Sequence, residues 1–285
     1  MHESLKDLLK KLKSLEIQGA KEIAIHSLKF LRKLAKEKGF GKEFNQAAKK
    51  IEKTRPTAVV LHNCLEIIKK EKKIETINKL LRKINQATKE IAKRGSVLIK
   101  NNYVIMTHCH SGEALSVIKQ AWKQGKKITV YATETRPKEQ GIKTAKELSK
   151  LGIKVILIVD DAVEFFIKDV DIVMVGLDAI RKEGIVNKIG TYTIAVVAKE
   201  HKKPFYVVGN TLKLDKRKKL IIEERDPHEV YVEHIKTLEI RNPAFDVTPW
   251  NYVKRVVTEK GVMTPVNIKN LLRHKTLPKY KVRKK

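Results

Sequence analysis

From Val97 onward the chain alternates short β-branched runs with helical stretches, a pattern that few folds accept. The runs are Val104–Met106, Ile128–Ala132, Val155–Val159, Ile172–Val175 and Phe205–Val208. Apolar residues at three- and four-residue spacing over Gly112–Gln124, Gln140–Leu151, Ala162–Ile167 and Gly190–His201 predict helices between them. A helix between consecutive strands carries the chain back before the next strand begins, so the strands lie parallel. Such a sheet needs both faces covered. The reading for residues 98–285 is an α/β domain with a mostly parallel sheet.

Residues 1–97 follow another grammar, helices alone. Ser4 caps a first helix that turns Leu5, Leu8, Leu9, Leu12 and Leu15 inward. Gly19-Ala20 interrupts it, and a second helix carries Ile23, Ser27, Phe30, Leu31 and Leu34 as far as Gly39-Phe40-Gly41. A short helix follows. Arg55-Pro56 then marks a further start, proline suiting the first helical position. That helix runs from Ala58 to Ile68, a longer one covers Ile74 to Ala92, and Gly95-Ser96 closes the half. A helical domain over 1–97 and a sheet domain over 98–285 suit a chain of 285 residues.

The polar residues collect where the strands end. Thr107-His108-Cys109-His110-Ser111 follows the first, Thr133-Glu134-Thr135-Arg136 the second, Asp160-Asp161 the third, Asp178 the fourth and Gly209-Asn210-Thr211 the fifth. Open α/β sheets bind ligands outside the carboxyl ends of their strands, so five such turns in register predict a site. Cys109 stands just before a helix N-terminus, where backbone N–H groups and the helix dipole favour a thiolate. A buried structural cysteine in an ordinary turn is the other reading of that residue. Cys64, among Val60, Leu61, Leu65 and Ile68, reads as core packing. His108 and His110 flank Cys109, but strict alternation within one turn does not suit a tetrahedral metal, and none is expected.

Sixty-two basic against 32 acidic side chains give a net charge of +30, which invites a nucleic-acid partner. The lysines are spread along nearly every helix, however, and only Lys279–Lys285 is a compact run. No zinc-finger spacing or stacked aromatic series accompanies them, so nucleic acid is not the expected partner. The same positive field steers a small anionic substrate. Two distant cysteines make no disulfide framework. Without an 18-residue apolar run or a signal-peptide pattern, the expected setting is the cytoplasm, without a membrane. The final dozen residues are expected to be mobile.

Read together, several segments resemble the sugar-phosphate aldose–ketose isomerases related to the regulatory subunits of translation initiation factor 2B. They are Thr107–Ser111, Glu134–Gly141, Val175–Ile180, Val186–Tyr192 and Asn242–Pro249, in family order. The archaeal ribose-1,5-bisphosphate isomerase branch is the most similar, Thr144–Leu148 agreeing with it, and the methylthioribose-1-phosphate isomerases come next. The resemblance implies a helical N-terminal domain, a Rossmann-like C-terminal domain, and a hexamer built from dimers. It also implies a catalytic Cys/Asp pair, matched here by Cys109 and Asp178. Gly19 and Ala20 match a phosphate loop whose arginine is replaced by Gln18, and Arg55 matches a second phosphate-binding arginine. Ser111, Glu134, Arg136, Asn187 and Lys188 fall on the matching segments and join the candidate substrate-binding set, as does Lys213, which is kept although Gly209–Lys213 departs somewhat from the archaeal pattern.

The implied substrate is a phosphorylated pentose, and its isomerisation needs no redox cofactor. A general acid and a base are required, because a ring must open and a proton must leave C2. The resemblance favours a Cys109 thiolate as base and Asp178 as acid, although the residues themselves leave the division open. Asn187 and Lys188 could hold Asp178 and the 1-phosphate, and Glu134 with Arg136 could be a positioning pair or a plain salt bridge. A non-catalytic regulatory subunit is a rival of a different class, but binding alone does not call for a thiol and a carboxylate together.

Overall fold

The computed structural model describes residues 4–233 and 235–273, so the basic tail and its expected mobility lie outside the described residues. Five helices come first: α1 (Leu5–Lys13), α2 (Ala20–Lys38), α3 (Lys42–Thr54), α4 (Val59–Glu71) and α5 (Ile74–Ser96). Ser4 and Asp7 form a reciprocal capping box at α1, as Ser4 predicts. Two expectations need correcting here. Leu15 lies beyond the end of α1, in left-handed backbone. Pro56 occupies the turn before α4, because the residue preceding a proline is pushed toward extended backbone and Arg55 adopts φ −136°.

Among the described residues, ten strands and five more helices follow. In chain order they are β1 (Tyr103–Thr107), α6 (Gly112–Lys123), β2 (Ile128–Thr133), α7 (Gln140–Ser149), β3 (Lys154–Ile158), α8 (Val163–Ile167), β4 (Ile172–Gly176), β5 (Ala179–Ile180) and β6 (Gly184–Lys188). Then come α9 (Thr191–Glu200), β7 (Phe205–Val208), β8 (Phe245–Pro249), β9 (Arg255–Thr258), β10 (Gly261–Met263) and α10 (Pro265–Arg273). The main sheet runs β10-β9-β7-β4-β1-β2-β3, parallel throughout except for the β10 edge. Its β-branched, two-sided strands meet the expectation of a parallel α/β sheet, and Val256 and Val257 join it in β9.

Strand order turns the sheet into a device for placing a site. From β1 the chain winds outward through β2 and β3, then returns to lay β4 on the other flank of β1 and winds away through β7 and β9. Loops leaving β1 and β4 therefore diverge, opening a crevice at the switch point. Cys109 follows β1 and Asp178 follows β4, so both stand at that crevice.

A second, antiparallel sheet, β5-β6-β8, was not expected. Asn187 and Lys188 pair with Asp246 and Phe245 across its β6–β8 ladder, and both are buried. One apolar core gathers α1 to α4 with the first half of α5; another joins Ile91 of α5 to α6 and the sheet. At Gly95 an added Cβ would meet Val117 of α6 at 2.6 Å, so glycine permits the close approach of these two helices.

Candidate active site

The turn between β1 and α6 is held in an uncommon shape. Cys109 has φ +65°, a left-handed conformation that costs energy for any residue with a Cβ and persists only where its surroundings over-determine it. Two threonines do so. The Cys109 N–H donates to Thr135 Oγ1 at 2.9 Å, and the Cys109 carbonyl accepts from Thr144 Oγ1 at 2.8 Å. Thr135 is itself left-handed, its N–H donating to Asp160 Oδ1 at 2.8 Å. The polar ends of β2 and β3, with α7, thus brace the one residue after β1.

The flanking histidines have separate partners. His108 is buried between Thr133 Oγ1 at 2.6 Å and the Ile189 carbonyl at 2.8 Å, whereas His110 meets Thr144 Oγ1 at 3.0 Å and Glu147 at 3.5 Å. Ser111 caps α6 by accepting the Ala114 N–H. Opposite it, an added Cβ on Gly176 would stand 2.3 Å from Ser111 Oγ, so only glycine lets the ends of β1 and β4 come this close. Two residues on, the Asp178 N–H donates to the Val186 carbonyl at 2.8 Å, tying the carboxylate's loop to the second sheet.

A cavity of about 280 Å³ opens at this crevice, near the small end of the usual range for small-molecule sites. Cys109, Ser111 and Asp178 line it from the sheet, Asn187, Lys188 and Lys213 from the adjoining segments, and Gly19, Ala20 and Arg55 from the helical half. Glu134 and Arg136 do not. Arg136 is about half exposed and pairs with Glu139 at 3.5 Å, so the pair expected with Glu134 is not formed. Lys21, Gln140 and Lys143 line the cavity as well and were missed, because lone polar residues in the first turn of a helix look like ordinary solvated surface.

The cations differ in how they are engaged. Lys213 bonds Glu113 and the Leu177 carbonyl, both at 2.5 Å, which makes it a buried ion pair first and a phosphate ligand only if that pair is shared. Lys188 is 8% exposed and in no ion pair among the described residues, its ammonium lying 5.6 Å from the centre of the Phe245 ring. Arg55, 9% exposed, reaches Glu223 only at 3.9 Å, and its Nε has no hydrogen-bond partner. Asn187 donates to Thr191 Oγ1 at 3.0 Å. Gly19, at φ +83°, precedes α2 with no side-chain cap, leaving first-turn amides for an anion.

Burial dominates the two titratable groups. It pushes the Cys109 thiol up to about 11; Lys188 and the His110 amide pull the other way without winning, while Asp178 and Asp160 reinforce the rise. Burial thus works against the thiolate expected at a helix N-terminus. Burial also raises Asp178, against Lys213, Lys188 and Arg55. Cys64 is wholly buried, its thiol pushed up to about 12, as befits core packing.

Comparison with known proteins places this geometry in context. The sequence model of the initiation factor 2 subunit family matches residues 16–265. A ribose 1,5-bisphosphate isomerase of Archaeoglobus fulgidus is 41% identical, covering 92% of this chain and 90% of its own length. A methylthioribose-1-phosphate isomerase of Thermoanaerobacter is 38% identical over 83% of this chain and 79% of its own. The solved translation initiation factor eIF-2B of Pyrococcus horikoshii superposes with a TM-score of 0.83 at 30% identity, covering 94% of this chain and 99% of that one.

Proposed function

The chain belongs to the initiation factor 2 subunit family, and on that premise we propose that it is an aldose–ketose isomerase converting ribose 1,5-bisphosphate to ribulose 1,5-bisphosphate. The observation that carries the proposal is the shared cavity. A thiol and a carboxyl group open on it from the two strand ends at the switch point, among cations suited to phosphate. One phosphate lies on the α2 amides with Arg55, and the 1-phosphate lies by Asn187 and Lys188.

The proton inventory gives each group a task. Breaking the C1–O4 bond needs a proton on the ring oxygen, and Asp178, whose affinity for protons burial raises, supplies it. The resulting carboxylate faces Lys213, Lys188 and Arg55. It takes the Cys109 proton, and the thiolate so formed, next to Lys188, removes the proton on C2 to give an enol phosphate. Asp178, again protonated, delivers a proton to C1 and receives the C2 hydroxyl proton as the carbonyl forms. Both groups end as they began.

Methylthioribose 1-phosphate is the alternative substrate, favoured by the relative of that name and by the same Cys/Asp pair. Assaying both sugars in parallel tests the proposal: turnover of ribose 1,5-bisphosphate supports it, preference for the methylthio sugar replaces it, and activity on neither moves the chain to a regulatory, non-catalytic role. A homo-oligomer, a hexamer built from dimers, belongs to the same proposal and is open to sedimentation analysis. Among the described residues no helix is long and apolar enough to cross a membrane.

A further inference from the structure

His108 is 2% exposed, precedes Cys109 in the chain, and takes no part in the proton transfers above. It does not line the cavity either, so whatever it does it does through its neighbours. Those neighbours settle which ring nitrogen carries the proton. A carbonyl can only accept, so Nε2, 2.8 Å from the Ile189 oxygen, is the N–H. Burial, joined by Lys188, holds the imidazole's affinity for protons down against Ile189 and Asp160. In the neutral ring Nδ1 is bare and accepts from the Thr133 hydroxyl at 2.6 Å. Thr135, whose oxygen takes the Cys109 N–H at 2.9 Å, has the Thr133 carbonyl at 3.2 Å and the Thr133 hydroxyl at 3.4 Å for its own proton.

The far end of this hydrogen-bonded chain is the turn between β6 and α9. Lys188 ends β6, and Ile189 and Gly190 lead into α9. The turn's amides face β8: Ile189 donates to the Ala244 carbonyl at 3.0 Å and Gly190 to Asp246 at 2.8 Å. The Ile189 carbonyl crosses instead to His108, beside the main sheet. Gly190 lies at φ +96°, and a Cβ there would meet the imidazole Cε1 at 3.3 Å, so glycine lets the turn rest against the ring. Cys109 at one end of the chain and Lys188 at the other line the same cavity.

We propose that His108 is a positioning residue: by bridging the Ile189 carbonyl and the Thr133 hydroxyl, it holds the turn that carries Lys188 against the strand ends that brace Cys109. The inference rests on the isomerase reading and deepens it, because a thiolate formed during turnover is stabilised only by a cation already in place.

The test uses His108→Gln and His108→Asn. The glutamine amide reaches as far as Nε2 and can donate to Ile189, whereas the asparagine amide reaches only as far as Nδ1 and leaves that carbonyl unpaired. Alkylation of Cys109 by iodoacetamide in the ligand-free protein is followed by mass spectrometry, with and without Lys188→Met in each background. Losing a nearby cation cuts the thiolate about tenfold, and the more basic thiolate regains about threefold in nucleophilicity. Lys188→Met should therefore slow alkylation about threefold in wild type and in His108→Gln, and hardly at all in His108→Asn, a coupling that general loosening of the fold does not produce. With ribose 1,5-bisphosphate, His108→Asn should lower kcat about 10–100-fold and His108→Gln less than about fivefold. Equal slowing by Lys188→Met in wild type and His108→Asn, or none in wild type, overturns the proposal, as does a His108→Gln that turns over no faster than His108→Asn. If circular dichroism shows His108→Asn unfolded, Gly190→Ala, whose methyl presses on the imidazole, takes its place with the same expectations. A wild type that turns over neither sugar sinks the isomerase reading alone, and the alkylation cycle, which needs no substrate, still decides whether His108 ties Lys188 to Cys109.

Discussion

The state of the Cys109 thiol makes a quantitative prediction about alkylation of the ligand-free protein. Burial pushes the thiol from an ordinary 9.0 up to about 11. At pH 8 the thiolate fraction falls from about one in ten to about one in a thousand, roughly 100-fold. A more basic thiolate is a better nucleophile, and a Brønsted slope of about 0.4–0.5 over two units returns roughly 6–10-fold. Iodoacetamide should therefore modify Cys109 about tenfold more slowly than a cysteine of ordinary pKa, with a rate that climbs nearly tenfold per pH unit and does not level off below pH 10. Mass spectrometry of the labelled protein separates Cys109 from Cys64. Lys188→Met should slow the reaction further, because that cation opposes the rise. Crowding around the sulfur can lower the rate but cannot move the inflection. A plateau below pH 8 would therefore refute the reasoning and restore the thiolate expected from the helix terminus.

Three other perturbations follow from the geometry. Asp178→Asn should keep the fold, by circular dichroism, and lower kcat by about 10²–10⁴-fold, since an amide cannot relay a proton; equal activity would remove Asp178 from the chemistry. Gly176→Ala puts a methyl 2.3 Å from Ser111 Oγ and should cost about 1–3 kcal/mol in urea denaturation, with Ser111→Gly in the same chain recovering most of it. Asp246 accepts the Gly190 and Tyr192 amides, yet burial pushes its carboxyl up from 3.8 to about 6. A folded value above the unfolded one means stability is highest below the unfolded pKa and is lost as pH rises through the folded one. Relative to Asp246→Asn, wild type should lose stability between pH 4 and 6, by at most ~3 kcal/mol and less because the group is partly exposed. Parallel pH–urea surfaces for the two proteins would contradict this.

The parallel sheet was legible because its strands are two-sided and β-branched; Phe205–Val208 is bounded in the structure as the residues predict. The β5-β6-β8 sheet was not, for reasons its residues make plain. β5 has two residues, β6 carries Asn187 and Lys188 beside only two large apolar residues, and β8 contains Asp246 and a proline. Polar side chains buried toward a ligand space erase the alternation by which a strand is recognised. The strand-end turns did announce the cavity, since strand polarity alone fixes which edge of the sheet they share. Glu134 misled because it lies in such a turn without facing the crevice. The rise of the Cys109 thiol was not legible for another reason: local sequence reveals a helix terminus, but burial depends on segments brought in from elsewhere in the chain.

The long α5 helix has a consequence for how the molecule comes apart. Twenty-three residues of helix span about 34 Å, and its first half is packed among the other N-terminal helices while Ile91 and Gly95 are packed on α6. A hinge at residue 97 would have to open through that packing. The helical layer and the sheet are thus expected to melt as one calorimetric transition, and the slowest-exchanging amides of both should report the same opening free energy. On the proposed reading, a substrate held at one end by α2 and at the other by the β1 and β4 turns adds a second tie across a seam that the backbone already spans.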